Sequence, residues 1–162
     1  MRKRAQRGMA VPQGTIENHQ HRIAVRARPL EEFLKKAREE IGLERGCVAV
    51  RLIGDAEMAR LNETYRKKKG PTDVLSFPVE EQRKPGSLAR QVCRAKGKFL
   101  GDIAIAPAVA QGNAKALGRT LPEELKVLIL HGVLHLLGYD HESDQGEMER
   151  IEMRLRRRLG IA

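Results

Sequence analysis

The amino-acid sequence predicts a single-domain α+β fold, in which a small mixed sheet of about four strands packs against about five helices. Three observations support this class. The length of 162 residues fits one domain, 41% of the residues are hydrophobic and can form a core, and strand-like and helix-like segments are mixed along the chain. We expect the domain to span residues 15–162. Residues 1–14 form a basic tail that lacks the apolar stretch of a signal peptide or membrane anchor.

The first half of the domain is predicted to alternate strand and helix. Residues 15–26 form an extended stretch, and residues 29–42 an amphipathic helix that begins with a proline and ends with a glycine. Residues 47–53 are predicted to form a strand, after which Asp55 caps a second helix. The predicted buried face of this second helix consists of Met58, Leu61 and Tyr65.

A hairpin with a long loop is predicted next. Residues 72–79 and 99–106 have the composition of strands, and residues 81–98 between them are polar and basic, as in an exposed loop. Pro78 cannot donate a ladder hydrogen bond, which indicates that pairing ends near it or that its strand lies at a sheet edge.

The last third of the chain is predicted to be helical, with helices at residues 107–118, 120–138 and 143–159. The middle helix has the strongest signals. Thr120 and Glu123 have the spacing of a capping box, and the second half of the helix is almost wholly apolar. We therefore expect this helix to be central and buried on most sides.

Three histidines cluster at the end of this central helix. His131 and His135 are four residues apart and share one helix face, and Gly138 can take the left-handed conformation that returns the chain and brings His141 to the same point. Three nitrogen ligands with an open fourth position are typical of a catalytic zinc site. The sequence therefore predicts one Zn²⁺ per chain, bound by His131, His135 and His141.

The residues around the histidines argue against a peptidase. The spacing H-x-x-x-H-x-x-G-x-x-H is that of the metzincin peptidases, which have a general-base glutamate directly after the first histidine. This chain has Gly132 at that position. We interpret Asp140 and Glu142, which flank the third histidine, as residues that orient a ligand or cap a helix rather than as ligands.

Two other groups of residues, two histidines and the cysteines, have side chains that can bind metal or react. His19 and His21 alternate along the first extended stretch; we interpret them as surface residues, with a second zinc site as the alternative. Cys47 lies in an apolar segment and is predicted to be a small buried side chain, far in sequence from Cys93. We expect no disulfide partner, and this cysteine usage favours a reducing cytoplasm.

The charge of the chain predicts a polyanionic partner. The net charge is +10, which attracts RNA, DNA or an anionic membrane surface. No segment approaches the length of a membrane-spanning helix, so we expect no membrane contact. Because only 3% of the residues are aromatic, we expect phosphate electrostatics to dominate nucleic-acid binding over base stacking.

Three separate blocks of the sequence resemble the YbeY family of bacterial endoribonucleases. The blocks are LNETYRKKKGPTDVLSFP (61–78), LGDIAIA (100–106) and HGVLHLLGYDH (131–141), and the resemblance spans roughly residues 15–158. It implies a cytoplasmic, metal-dependent and single-strand-selective endoribonuclease, which acts in maturation of the 16S rRNA 3′ end and in ribosome quality control. The implied partners are single-stranded RNA, rRNA and ribosomal particles.

The resemblance also assigns individual residues. The family's zinc ligands fall on His131, His135 and His141, its essential arginine falls on Arg66, and the first histidine, His131, is implied to be essential for activity as well. Two alternatives stay open at this point. One is a metallopeptidase, and the other is a non-enzymatic ribosome-associated factor whose zinc is structural and fully bound by protein ligands.

Overall fold

The computed structural model describes residues 14–43, 46–79 and 98–161, and its strands form one mixed sheet. The strands are Gly14–Asn18 (β1), Gly46–Leu52 (β2), Val74–Pro78 (β3) and Lys98–Ile105 (β4). The sheet order is β1-β2-β4-β3, with β1, β2 and β4 parallel and β3 antiparallel to β4 at one edge. The predicted four-stranded sheet and the predicted hairpin are therefore confirmed.

The described ranges also contain five helices, as the sequence predicts, so the α+β class is confirmed. The central helix packs against the last two strands and against three of the other helices. The helices are Ala27–Ile41 (α1), Asp55–Arg66 (α2), Pro107–Ala116 (α3), Leu121–Leu136 (α4) and Glu147–Leu159 (α5).

Helix α4 begins and ends as its sequence dictates. The Thr120 hydroxyl accepts the backbone N–H of Glu123, and the Glu123 carboxylate accepts the backbone N–H of Thr120, which completes the capping box. Beyond the last turn, Gly138 has a φ of 95°, in the left-handed region that favours glycine. Along its length the helix buries nearly every apolar side chain, so it forms the centre of the core.

Helix α4 lies very close to the sheet at Gly132. A Cβ atom at this position would lie 2.7 Å from Cδ1 of Ile103 and 3.0 Å from two further atoms of the same side chain. Ile103 is fully buried in β4 and has little room to move. The absence of a side chain at residue 132 is therefore what allows the helix to lie this close to the strand.

Helix α2 differs from its prediction at both ends. Its N-cap is Gly54, and Asp55 is the first helical residue rather than the cap. Met58 is buried as predicted, but Tyr65 is 62% exposed, so its assignment to the buried face is wrong. The last turn of α2 passes β3, where the Tyr65 ring packs against Phe77, and β3 is the edge strand of the sheet that the described residues form.

Other boundaries shift for local reasons. Strand β1 ends at Asn18, so His19 and His21 follow the strand and do not alternate along one of its faces. Helix α5 begins at Glu147 rather than residue 143, because residues before it form turns and Gly146 takes a left-handed φ of 85°. Pro78 is the last residue of the edge strand, as predicted.

Several predictions concern residues outside the described ranges. These are the basic tail, whose first 13 residues are not described, and nearly all of the 81–98 loop. Cys93 lies in that loop, so the prediction about a disulfide also concerns residues outside the described ranges. Cys47 is buried in β2 against Ala49 and Phe99, as expected for a small apolar position. Within the described part of the chain, the helices are too short or too polar to cross a membrane.

The contact at Gly132 generates a stability prediction. We expect Gly132→Ala to lower the free energy of unfolding by about 1–2 kcal/mol, because overpacking against Ile103 outweighs the gain in helix propensity. Gly112→Ala in α3 is the matched control, since nothing lies within 4 Å of a Cβ there, and it should stabilise by roughly 0.5–1 kcal/mol. Urea unfolding measures the free energy of unfolding of both variants. Equal stabilisation by the two substitutions would show that residue 132 has room for a methyl group.

Candidate metal centre

The three histidines converge at the C-terminal end of α4. The Nε2 atoms of His131 and His135 lie 3.0 Å apart. The centroid of the His141 ring lies 5.6 Å from that of His131 and 5.4 Å from that of His135. One nitrogen of each ring lies within 4.8 Å of the others, and in the described part of the chain no other residue joins this group. Two ligands of a tetrahedral zinc ion are separated by roughly 3.3 Å. The donor set therefore fits a metal ion such as zinc.

A buried carboxylate fixes the orientation of the first histidine. Oε2 of Glu152, on α5, lies 2.9 Å from Nδ1 of His131. An ionised carboxylate only accepts hydrogen bonds, so Nδ1 must carry the proton, which leaves the lone pair of Nε2 directed at the other histidines. The second carboxylate oxygen accepts a 2.5 Å hydrogen bond from Arg156. A histidine oriented by a carboxylate in this way is the usual support of a metal ligand.

The protonation states at the site favour cation binding. Burial raises the pKa of Glu152, but the hydrogen bonds and charges of His131 and Arg156 outweigh it, so the pKa lies below its usual value. Burial also lowers the pKa of His135, and the neighbouring His131 and His141 lower it further. An anionic Glu152 and a neutral His135 are the forms that a metal site requires at neutral pH.

Glu152 is the site residue that sequence analysis did not identify. It lies eleven residues after His141, in a helix that contains many charged residues, and nothing in its local pattern distinguishes it. The one available signal is its spacing of four residues from Arg156, which is common on exposed helices. Only the packing of α5 against α4 brings it to His131.

The environment of Gly132 explains the missing glutamate. The position that carries the general base in metzincins points here into the buried contact with Ile103 of the sheet. A carboxylate at this position would enter the core rather than the space in front of the histidines. The fold therefore excludes the metzincin arrangement.

Neither flanking acid belongs to the metal-binding group, and the contacts they make differ from the ligand-orienting and helix-capping roles that the sequence suggested. The Asp140 carboxylate accepts the backbone N–H of Glu142 at 3.0 Å and so holds the turn that carries His141. The Glu142 carboxylate forms an ion pair with Arg66, with 3.8 Å between Oε1 and Nη2. His19 pairs with Glu17 at 2.7 Å on the surface.

Arg66 is connected to the histidine group through Glu142. It is the last residue of α2, its side chain is 40% exposed, and its ion-pair partner follows His141 directly in the chain. A second contact secures this side of the site: the Ser76 hydroxyl on β3 donates to the Gly132 carbonyl at 3.4 Å. The end of α2 and the edge strand β3 therefore border the metal centre.

Comparisons with known proteins agree with this geometry. The sequence model of the family described as Endoribonuclease YbeY matches residues 15–160. An Endoribonuclease YbeY of Solibacter usitatus is 38% identical over 154 residues, which cover 94% of this chain and 93% of that protein. An Endoribonuclease YbeY of Aquifex aeolicus is 42% identical over 126 residues, covering 78% and 76% of the two chains.

A solved structure shares the fold as well. The solution structure of TM1509 from Thermotoga maritima aligns with a TM-score of 0.56 at 28% sequence identity, covering 90% of this chain and 88% of that one.

The metal centre generates a binding prediction. We expect about one equivalent of zinc per chain and its loss in His135→Ala, which removes one of three ligands. Glu152→Gln should weaken zinc binding about 10- to 100-fold, because the charge that polarises His131 is removed. Competition against a chromogenic chelator measures the affinity.

Glu149→Gln is the matched control for this experiment, because Glu149 is exposed on the same helix and its substitution removes the same charge. An equal loss of affinity in both glutamine variants would mean that Glu152 acts only through net charge and does not orient His131.

Proposed function

Because the chain belongs to the Endoribonuclease YbeY family, we propose that it is a Zn²⁺-dependent, single-strand-selective endoribonuclease. Its substrates would be rRNA and ribosomal particles in the cytoplasm, with roles in maturing the 16S rRNA 3′ end and in ribosome quality control. The observation that carries the proposal is the convergence of His131, His135 and His141 on one point, with His131 oriented by Glu152.

The three histidines would bind the ion and leave one coordination position open. A zinc ion held by these residues would supply a hydroxide nucleophile at neutral pH. His131 would be the ligand on which activity depends most, since its ring is fixed by the Glu152 carboxylate. The hydrogen bonds and charges of His131 and, to a smaller extent, Arg156 hold the pKa of that carboxylate below its usual value, and Arg156 also fixes its position.

We assign Arg66 the role of stabilising the negative charge of the transition state. Hydrolysis of a phosphodiester builds negative charge on the non-bridging oxygens, and a guanidinium can donate two parallel hydrogen bonds to them. The ion pair with Glu142 is long at 3.8 Å and both side chains are substantially exposed, so the pair is weak and an RNA phosphate can replace the carboxylate. Because Gly132 stands where the metzincins have a glutamate, Arg66 would carry a larger share of the transition-state stabilisation.

The alternatives are less well supported. A metallopeptidase of the metzincin type needs a carboxylate where Gly132 packs against Ile103. A structural zinc normally has four protein ligands, whereas the described residues supply three. The net charge of +10 also suits a phosphodiester polymer better than a peptide.

The proposed activity is tested with the zinc-loaded protein on three substrates: a single-stranded RNA, the same RNA in a duplex, and an unstructured peptide. We expect internal cleavage of the single strand, much slower cleavage of the duplex and none of the peptide. Removal of zinc by a chelator should abolish cleavage, and added zinc should restore it. Peptide hydrolysis, or cleavage that survives metal removal, would contradict the proposal.

The role of Arg66 gives a specific prediction. Arg66→Ala and Arg66→Lys should each lower kcat by on the order of 100- to 1,000-fold, because lysine cannot reproduce the paired hydrogen bonds. Zinc content and melting temperature should stay near wild type, since Arg66 is exposed and is not a metal ligand. Lys68→Ala, an exposed cation of the same basic run, is the control and should retain kcat. Full activity of Arg66→Lys would reduce the role of Arg66 to a point charge.

The charge of the chain gives a second prediction. The logarithm of the RNA association constant should fall linearly with the logarithm of salt concentration, with a slope of about −0.7 per phosphate neutralised. Filter binding or fluorescence anisotropy across a salt series measures the slope. A flat response would show that phosphate contacts do not provide the affinity.

A further inference from the structure

One aromatic side chain stands out by its exposure. All five aromatic residues lie in the described ranges, and Tyr65 is 62% exposed, while Phe33 and Phe99 are buried and Phe77 and Tyr139 are partly buried. A single exposed apolar side chain is common on a protein surface. The position of Tyr65 is what gives it a possible role.

The tyrosine ring rests on a fixed neighbour. It packs edge to face against Phe77, with ring centroids 4.9 Å apart and an interplanar angle of 69°. Phe77 itself lies in β3 and packs against the small core cluster that contains Met58 and Leu75. An aromatic ring held in this way needs little further ordering to receive another ring, since it has only two side-chain torsions.

The ring belongs to the neighbour in the chain of a residue that borders the metal centre. Tyr65 precedes Arg66, whose guanidinium pairs with Glu142 beside the third histidine. The ring rests on Phe77, on the face of β3 that meets α2, whereas the preceding Ser76 points to the opposite face and donates to the Gly132 carbonyl of α4. The exposed ring therefore lies at the edge strand, one residue from Arg66.

Positive charge follows this position in the chain. Arg66 is followed by three exposed lysines at residues 67–69, so four consecutive cations come directly after Tyr65. This combination of an open aromatic face with a run of cations matches a single nucleic-acid strand, in which phosphates alternate with unpaired bases.

We propose that Tyr65 is a stacking platform for one unpaired base of the RNA strand, next to the phosphate that Arg66 contacts. The inference rests on the proposed function and adds to it a residue that determines substrate selectivity. A paired base in a duplex presents no free face to the ring, so stacking on Tyr65 favours single strands. Substrate binding through phosphates alone would not make this distinction.

The test uses short nuclease-resistant 2′-O-methyl strands that carry one 2-aminopurine, a base whose fluorescence is quenched by stacking. We expect wild type and Tyr65→Phe to quench it on binding, and Tyr65→Leu and Tyr65→Lys to lose most of the quenching. Affinity is compared with that for an abasic strand of equal length. The preference of wild type for the strand with bases should fall about tenfold in Tyr65→Leu, with an unchanged salt slope.

Tyr65→Lys separates the effect of charge from that of stacking, and a further variant controls for the loss of an exposed apolar side chain. The lysine substitution adds charge, so it should bind both strands more tightly while losing the preference for bases. Met153→Leu, at an exposed apolar position on α5, should behave as wild type. Melting temperatures verify folding of each variant.

The possible results separate the two proposals. Retained quenching and retained base preference in both Tyr65→Leu and Tyr65→Lys would overturn the stacking role, and so would a wild type that binds both strands equally. Failure of wild type to bind any RNA would instead contradict the proposed function itself.

Discussion

The close contact between α4 and the sheet at Gly132 determines how the site is built. Successive residues of a helix are rotated by about 100° around its axis. When residue 132 faces the sheet, residues 131 and 135 therefore share a face that is turned sideways, toward α5 and the end of α2. His131 and His135 occupy those positions. The direction of both imidazoles therefore follows from packing in the core, and the side chain of Ile103 sets how closely the helix can approach.

The carboxylate of Glu152 connects this packing to the chemistry of the site. A buried ionised carboxylate is unfavourable unless it is paired, and here each of its oxygens has a partner, His131 on one side and Arg156 on the other. Helix α5 is consequently held against α4 by the same interaction that selects the tautomer of the first ligand. A change that moved α5 would thus disturb the metal site even if all three histidines were intact.

Local patterns allowed part of this site to be predicted from sequence. His131 and His135 share a face because of helical periodicity, and Gly138 permits the turn that returns His141, so both features depend only on neighbouring residues. Glu152 could not be predicted, since its partner lies 21 residues away and only tertiary packing joins them. Tyr65 was placed on the wrong face because its burial depends on where the sheet ends, which the periodicity of α2 does not encode.

The position of Tyr65 also changes the argument about nucleic-acid recognition. The low aromatic content of the chain indicated that electrostatics dominate binding. Electrostatics alone, however, favour a duplex, which has the higher charge density and releases more counterions per phosphate contacted. The single-strand selectivity that we propose for this chain of net charge +10 would therefore need free energy from groups that a duplex hides, and these are the faces of the bases. The proposed stacking on the exposed ring of Tyr65 would provide that difference, so selectivity would depend on the position of an aromatic residue rather than on the number of them.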